Sequence, residues 1–447
     1  MAKLLMISAN LANDPYPVYP LGANLVVSAL RREGHDAELL DLLIDGDDGL
    51  DAALAKFRPD YIGVSLRNVD NVNFNEPQSF IFQYKSLLER VRERIRVPII
   101  LGGSAFTIFP AQFLELLGAD YGIVGPGEVS LPKLIQRLER RDPPADPILT
   151  GEIDRSGENR DFLARERRLT EFYRNKGGML NLYTKRGCPH RCLYCSYPSL
   201  EGDRYLFRAP EAVVDEIAYL IDGHGADFLF FADSVFNDDN RQYLLILEEM
   251  ARRGISIPWT CYMRPTSFRR DEVELMRRTG LRSIEWGTDC ASDRTLVGMG
   301  KSFCWEDVRQ ANKLFAEYEI PGLHFIIFGG PGETRDTVHE GVKNLAELNY
   351  SVIFGGMGIR VLPNTGIYGL AKKAGLVQDE NDLFRREVYY HSPAIDTQWL
   401  KAYLTEAFRE RPNWVFPWAG VAERNRFLHD SGFRGPLWDL LLKRKRI

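Results

Sequence analysis

Three cysteines within eight residues, Cys188, Cys192 and Cys195, hold the clearest chemistry in this sequence. Their C-x3-C-x2-C spacing follows a short β-type run at 181–185, which places three thiolates on one tight loop. Such a loop can hold three corners of a cubane iron-sulfur cluster. A full ligand set is four cysteines, so the fourth iron is left open to a non-protein ligand. Structural zinc needs four closed ligands, and the nearby fourth candidate here is His190, inside the loop itself. No second C-x2-C pair exists.

The other three cysteines, Cys261, Cys290 and Cys304, form no disulfide framework and read as small buried hydrophobes on or beside strands. A thiolate-held cluster with free thiols points to a reducing, cytoplasmic setting. The apolar run near Leu4 is too short for a signal peptide. No stretch approaches the roughly 20 apolar residues that cross a bilayer. A net charge of -5 does not advertise a nucleic-acid partner. The basic run from Lys443 to Arg446 reads as a solvated tail.

The elements that must position the loop fall in two alternating series. At 447 residues the chain suggests several domains. Over residues 1–142, strand candidates at 3–9, 37–42, 61–65, 98–101 and 121–124 alternate with amphipathic stretches at 21–33, 49–57, 83–94, 111–117 and 130–140. This rhythm predicts a parallel sheet covered on both faces. Ligands of such sheets sit beyond the strands' carboxyl ends. Gly102-Gly103-Ser104 and Gly125-Pro126-Gly127-Glu128 lie there, where missing side chains let a large ligand approach the backbone. Neither turn fits G-x-G-x-x-G, which disfavours a nicotinamide site.

Residues 143–180 mix prolines with a charged run, Arg165 to Arg168, and read as a surface connector. A second series follows over 181–376, with strands expected at 182–184, 228–231, 259–263, 283–287, 322–328 and 353–361 and helices between them. Six units in this length match the roughly 30 residues that a βα unit requires. The pattern predicts a partial barrel with its chemistry at the strands' carboxyl ends. Residues 377–447, rich in aromatic residues including Trp399, Trp414, Trp418 and Trp438, read as helical and packed.

The cysteine loop, straight after the first barrel strand, resembles the radical S-adenosylmethionine (SAM) superfamily. In that family the open iron chelates the amino and carboxylate groups of SAM, and an electron from the cluster cleaves the sulfonium to a 5'-deoxyadenosyl radical. The resemblance implies that Tyr194 lies near the adenine, that Asp233 faces the methionine moiety, and that Arg264 pairs with the SAM carboxylate. It extends to Glu285-Trp286-Gly287-Thr288-Asp289, where relatives carry Gly-x-Glu-Ser, so that Thr288 and Asp289 stand at a SAM-contacting position. Gly329-Gly330-Pro331-Gly332-Glu333 matches the strand-end motif for the adenosine, and Pro363-Asn364-Thr365 a related turn.

Residues 1–142 resemble the cobalamin-binding domain that precedes the barrel in one branch of this superfamily, on Pro20-Leu21-Gly22-Ala23, Gly102-Gly103 and Gly125 to Glu128. The Asp-x-His-x-x-Gly signature of a histidine ligand to cobalt is absent; Asp222-Gly223-His224-Gly225 is its nearest mimic and lies in the other domain. The fold implied is α/β: a doubly wound, Rossmann-like sheet of cobalamin-binding type, a partial (β/α)6 radical SAM barrel, and a small, mainly helical C-terminal region.

The implied cofactors are a 4Fe-4S cluster, SAM and, as an open question, cobalamin. The implied partners are a small-molecule substrate and an external electron donor of flavodoxin or ferredoxin type. Hydrogen abstraction from an unactivated carbon, followed by methylation from cobalamin, is the first reading. A cobalamin-independent isomerisation, epimerisation, dehydration or rearrangement is the second. A methylthiotransferase would be expected to hold a second cluster, yet no cysteine precedes Cys188. A cluster protein confined to electron transfer is the reading of a different class, and formation of 5'-deoxyadenosine would exclude it.

Overall fold

The computed structural model describes residues 1–153, 164–417 and 422–443. Six strands, Lys3–Ser8, Asp36–Asp41, Tyr61–Ser65, Ile99–Gly102, Tyr121–Val124 and Ile148–Thr150, form one all-parallel sheet in the order 2-1-3-4-5-6. Apolar runs buried on both faces make these strands, as covered parallel sheets require. The order reverses between the first and third strands, so the crevice beyond their carboxyl ends is the natural ligand site. The sixth strand lies past residue 142, in what reads from sequence as connector.

The helix Leu42–Phe57 starts well before the stretch expected from residue 49. Asp41 caps it by accepting from the Leu43 N–H at 3.0 Å, and non-helical geometry at Gly46 breaks the period that would reveal its first turn.

The second sheet runs Leu180–Leu182, Leu229–Phe231, Trp259–Met263, Leu281–Asp289, Gly322–Phe328 and Ser351–Met357, each paired in parallel with the next. A seventh strand, Trp414–Val415, adds to its far edge. The C-terminal region is therefore not purely helical. It also gives Tyr389–Tyr390, which pairs antiparallel with Ile359–Arg360. From the C-terminal 3-10 turn Trp438–Lys443, Trp438 and Leu441 pack with Leu323, Val352 and Phe354 against the strand starts. Trp418 and the basic residues 444–446 lie outside the described residues.

The connector is not a free surface segment either. Its helix Arg167–Gly177 docks by Tyr173, which donates to Asp41 at 2.7 Å, and by Arg168, which pairs with Asp45 at 2.6 Å. Arg165, expected on a solvated face, is buried: Glu216 accepts from it at 2.7 Å and from Arg208 at 2.7 Å. A buried arginine requires such a partner. Cys261 and Cys290 are buried as expected, but Cys304 is exposed at the start of the helix Trp305–Glu317. No helix among the described residues is long and apolar enough to cross a membrane.

The two sheets are tied together by a buried ion pair. Arg360 donates to Asp70 at 2.8 Å and also to the carbonyls of Val361 and Leu383. Removing one partner of a buried pair strands the other charge at a cost of about 3–5 kcal/mol. Arg360→Met and Asp70→Asn are therefore each expected to lower the melting temperature. The double variant should lose less than the two singles combined, and additive losses would refute the coupling.

Candidate active site

The cysteine loop has little regular structure and is held in place by its neighbours. It leaves the pair Lys185–Arg186, which joins Leu206–Phe207 antiparallel. It turns at Gly187, where φ is +77° and a Cβ would lie 2.0 Å from the Arg204 carbonyl, so only glycine fits. The Cys188 N–H donates to Gly202 O (3.0 Å), the Leu193 N–H to Met299 O (2.9 Å), and the Ile367 N–H to Leu193 O (2.9 Å). All six cysteines are free thiols. Burial pushes the Cys195 thiol up to about 11, and the neighbouring Cys192 and Cys188 add to the effect. Three soft donors on one loop, with no disulfide between them, fit a cluster that takes them as thiolates.

Around the loop stand the side chains expected to meet SAM. Tyr194 donates to Asp289 at 2.5 Å, and Lys301 pairs with Asp289 while donating to Tyr194 Oη and Gly287 O, both at 3.3 Å. Asp289 sits at φ +61° beside a register shift between the fourth and fifth strands, an irregularity of the kind that re-aims a side chain. Burial opposes the Lys301 charge, but Asp289 more than offsets it and raises the amine above its usual value. Lys301 was not foreseen; the Gly298-Met299-Gly300 segment before it, closed onto Arg191 and Leu193, is the signal that marks its neighbourhood.

Asp233 is buried and accepts from the Thr184 N–H (2.7 Å), the Thr184 hydroxyl (2.5 Å), the Lys185 N–H (3.3 Å) and Lys185 Nζ (3.2 Å). A carboxylate has about four lone-pair sites, so this one braces the end of the first strand. Arg264 donates to His190 (2.8 Å), Asp239 (2.9 Å) and Ser302 (2.5 Å), gripping the cysteine loop through His190. Burial, then the charge of Arg264, lowers His190 to about 4, leaving a neutral ring to accept that bond.

Thr288 turns away from the barrel mouth. It shares the outward side of the strand with Trp286, and its hydroxyl meets His324 at 2.8 Å, as alternation along a strand dictates. In the turn from Gly329 through Gly330 and Gly332, Glu333 accepts from the Gly329 N–H at 2.6 Å, and Ser392 bonds both Gly329 O (2.7 Å) and Glu333 O (2.8 Å).

Above the loop lies a cavity of about 630 Å³, lined from the first sheet by Ser8, Asn10, Arg67, Gly102, Gly103, Ser104, Gly125 and Glu128. From the barrel come Asn181, Arg186, Tyr197, Leu200, Ala232 and Leu362. Gly103 holds φ +92°, and a Cβ there would strike Leu66 O at 2.4 Å. At Gly22, also on the cavity, a Cβ would meet nothing within 4 Å. At Gly102 and Gly125 it would meet only a carbonyl 3.9 Å away. The wall is therefore open at Gly22, Gly102 and Gly125. Glu128 pairs with Arg186, directly before the loop. Among the described residues no histidine lines the cavity, so these walls offer a corrin no imidazole.

The Radical SAM superfamily model matches residues 182–345, and the B12 binding domain model matches 7–135. The tryptophan 2-C-methyltransferase of Streptomyces laurentii is 26% identical over 430 residues, spanning 78% of this chain and 72% of that protein. The radical SAM methyltransferase TsrM of Kitasatospora setae, solved with cobalamin and a [4Fe-4S] cluster, superposes with a TM-score of 0.86 at 23% identity, over 98% of this chain and 97% of its own. Its complex with tryptophan and a SAM analogue gives 0.87, also at 23% identity, over 99% and 98%.

Burial raises Glu333 to about 7. A carboxyl raised in the fold from its usual 4.5 favours the protonated form, so its contribution is full below pH 4.5 and is lost as pH rises through 7. That amounts to about 3 kcal/mol. Between pH 5 and 8 the melting temperature of the wild type should fall relative to Glu333→Gln; parallel curves would contradict the assignment. Two domain models are thus matched in succession, a B12 binding domain over 7–135 and a radical SAM domain over 182–345.

Proposed function

We propose that this enzyme methylates a small substrate, with SAM bound at the cysteine loop and cobalamin in the cavity between the two domains. The observation that carries the reading is that single chamber, bounded by the switch point of the first sheet on one side and by the residues after Cys195 on the other. The relatives named above are methyltransferases, one acting on tryptophan and one solved with cobalamin.

When bound, the cluster supplies the electron that cleaves SAM, and cobalamin carries the methyl group. Cys188, Cys192 and Cys195 hold the cluster. Tyr194 and the turn from Gly329 to Glu333 bind the adenosine, and Glu333 keeps that turn closed through the Gly329 N–H. Arg264 and Lys301 place two cations beside the loop, where the SAM carboxylate needs them. Asp233 and Asp289 act one step back: the first fixes Lys185 and Thr184, and the second fixes Lys301 and Tyr194. Gly102, Gly103, Ser104, Gly125 and Glu128 border the corrin. The electron comes from a flavodoxin or ferredoxin, and the enzyme works in the cytoplasm.

Anaerobic reconstitution with iron, sulfide and hydroxocobalamin tests this. The protein is expected to retain cobalamin and to form 5'-deoxyadenosine from SAM under reduction. Cys188→Ala, Cys192→Ala and Cys195→Ala should each abolish SAM cleavage while leaving cobalamin uptake intact. A protein that never retains cobalamin would overturn methyl transfer, and one that leaves SAM whole would overturn the cluster chemistry.

A further inference from the structure

The lumen of the barrel holds one carboxylate for which the machinery above has no task. On the strand Leu281–Asp289, Ile284 and Trp286 pack outward under the helices, and Trp286 meets Phe315 at 5.4 Å between ring centres. Glu285, between them, turns inward. It is 3% exposed. Trp438 Nε1 donates to Glu285 Oε1 at 3.2 Å, and the Tyr262 hydroxyl donates to the same carboxyl group. Among the described residues no lysine, arginine or histidine forms an ion pair with it.

Its surroundings are aromatic. Tyr262 meets the edge of Phe230 at 5.1 Å. Tyr16 reaches in from the first domain and packs on the cluster that contains Phe230. Burial pushes the Tyr16 phenol well above its usual value, with Glu285 and then Tyr262 as the next causes, so its hydroxyl is within electrostatic reach of both.

The carboxylate also lies beside the substrate chamber. Ala232 and Asn181 line the cavity. Phe231 pairs with Cys261 and Cys261 with Ile284, so the residues that follow, Ala232, Tyr262 and Glu285, stand side by side across three strands. At about 4.8 Å per strand, Glu285 is roughly 10 Å in from the cavity wall at Ala232. Tyr262 bridges that distance and is 37% exposed although it stands inside the barrel.

A buried carboxyl served by two neutral donors keeps most of its desolvation cost, and burial accordingly raises it to about 7. Two of its roughly four lone-pair sites stay free. A cation would complete the set, and aromatic faces add their own attraction for an ammonium group. We propose that Glu285 and Tyr262, with the rings of Tyr16 and Phe230, anchor a protonated amine of the substrate, so that this enzyme acts on a small ammonium-bearing molecule. Binding transfers the remaining carboxyl proton to solvent and leaves a desolvated ammonium–carboxylate pair. The inference rests on the reading above only in taking the chamber as the place where substrate is held.

The test is calorimetric titration of the reconstituted, cobalamin-loaded protein without SAM, so that failure of SAM cleavage cannot pass for failure of amine binding. The probes are 2-phenylethylamine and its uncharged counterpart 2-phenylethanol. The wild type should bind the amine at least about tenfold more tightly than the alcohol. Glu285→Gln, which keeps the shape and removes a buried charge, should bind the two equally. Tyr262→Phe should lose part of the preference, and both variants should keep the cluster's absorption. Equal affinities in the wild type, no amine binding at millimolar concentration, or a preference that survives in Glu285→Gln would each overturn the proposal.

Discussion

The backbone hydrogen bonds that fasten the cysteine loop are the constraint on which the rest of the molecule depends. A cubane needs its thiolates to face one point, yet the segment from Gly187 to Cys195 forms neither helix nor strand. Its geometry is imposed from outside, by Gly202 bonded to Cys188 and by Met299 and Ile367 bonded to the N–H and the carbonyl of Leu193. The last two lie 106 and 174 residues away along the chain, counted from Leu193. Contacts so distant carry a large closure cost when made one at a time. They become affordable together, once the barrel has formed and brought these strand-end segments to one mouth. The ligand set is thus a product of the whole second domain.

The same dependence extends to the side chains around the loop. Asp289 holds Lys301 and Tyr194, Asp233 holds Lys185 and Thr184, and Arg264 holds His190. In each case a charged group at one strand end is joined to a residue of the loop, or of the segment packed on it, from another βα unit. Such pairs in a low-dielectric setting are expensive when broken and specific in direction. They present Tyr194 and Lys301 in fixed positions, which a site that must align SAM with one iron requires.

These relations explain what the sequence disclosed. Strands such as Tyr61–Ser65, Trp259–Met263 and Gly322–Phe328 are apolar runs of the length that a covered parallel sheet demands, so their limits can be read directly. The cysteine spacing is local and equally plain. Lys301 is different: in the sequence it is one more charged residue before a helix, and only Asp289 and Tyr194, folded over it, make it an interior group. Arg165 was misplaced for the same reason, because Glu216, its partner, is 51 residues away. Trp414–Val415 is too short for any period to show, and exists because an open barrel edge accepts it. Thr288 and Asp289 are neighbours in sequence with opposite fates, since strand alternation and a register shift decide which of them faces the mouth.

The placement of one domain over the other follows from a shared rule. A doubly wound sheet and a βα barrel each gather their ligand sites at the carboxyl ends of their strands, the sheet at its switch point and the barrel at its mouth. When the two ends face each other, as Glu128 against Arg186 and Asp70 against Arg360 hold them here, two half-open sites become one chamber. Its upper wall is glycine-rich, while its lower wall meets the barrel at Asn181 and Ala232. A molecule held at that lower end lies under the first sheet and beside the cysteine loop, so its position is set by three parts of the fold at once. This chamber, more than any single motif, is where the two halves of the chain meet.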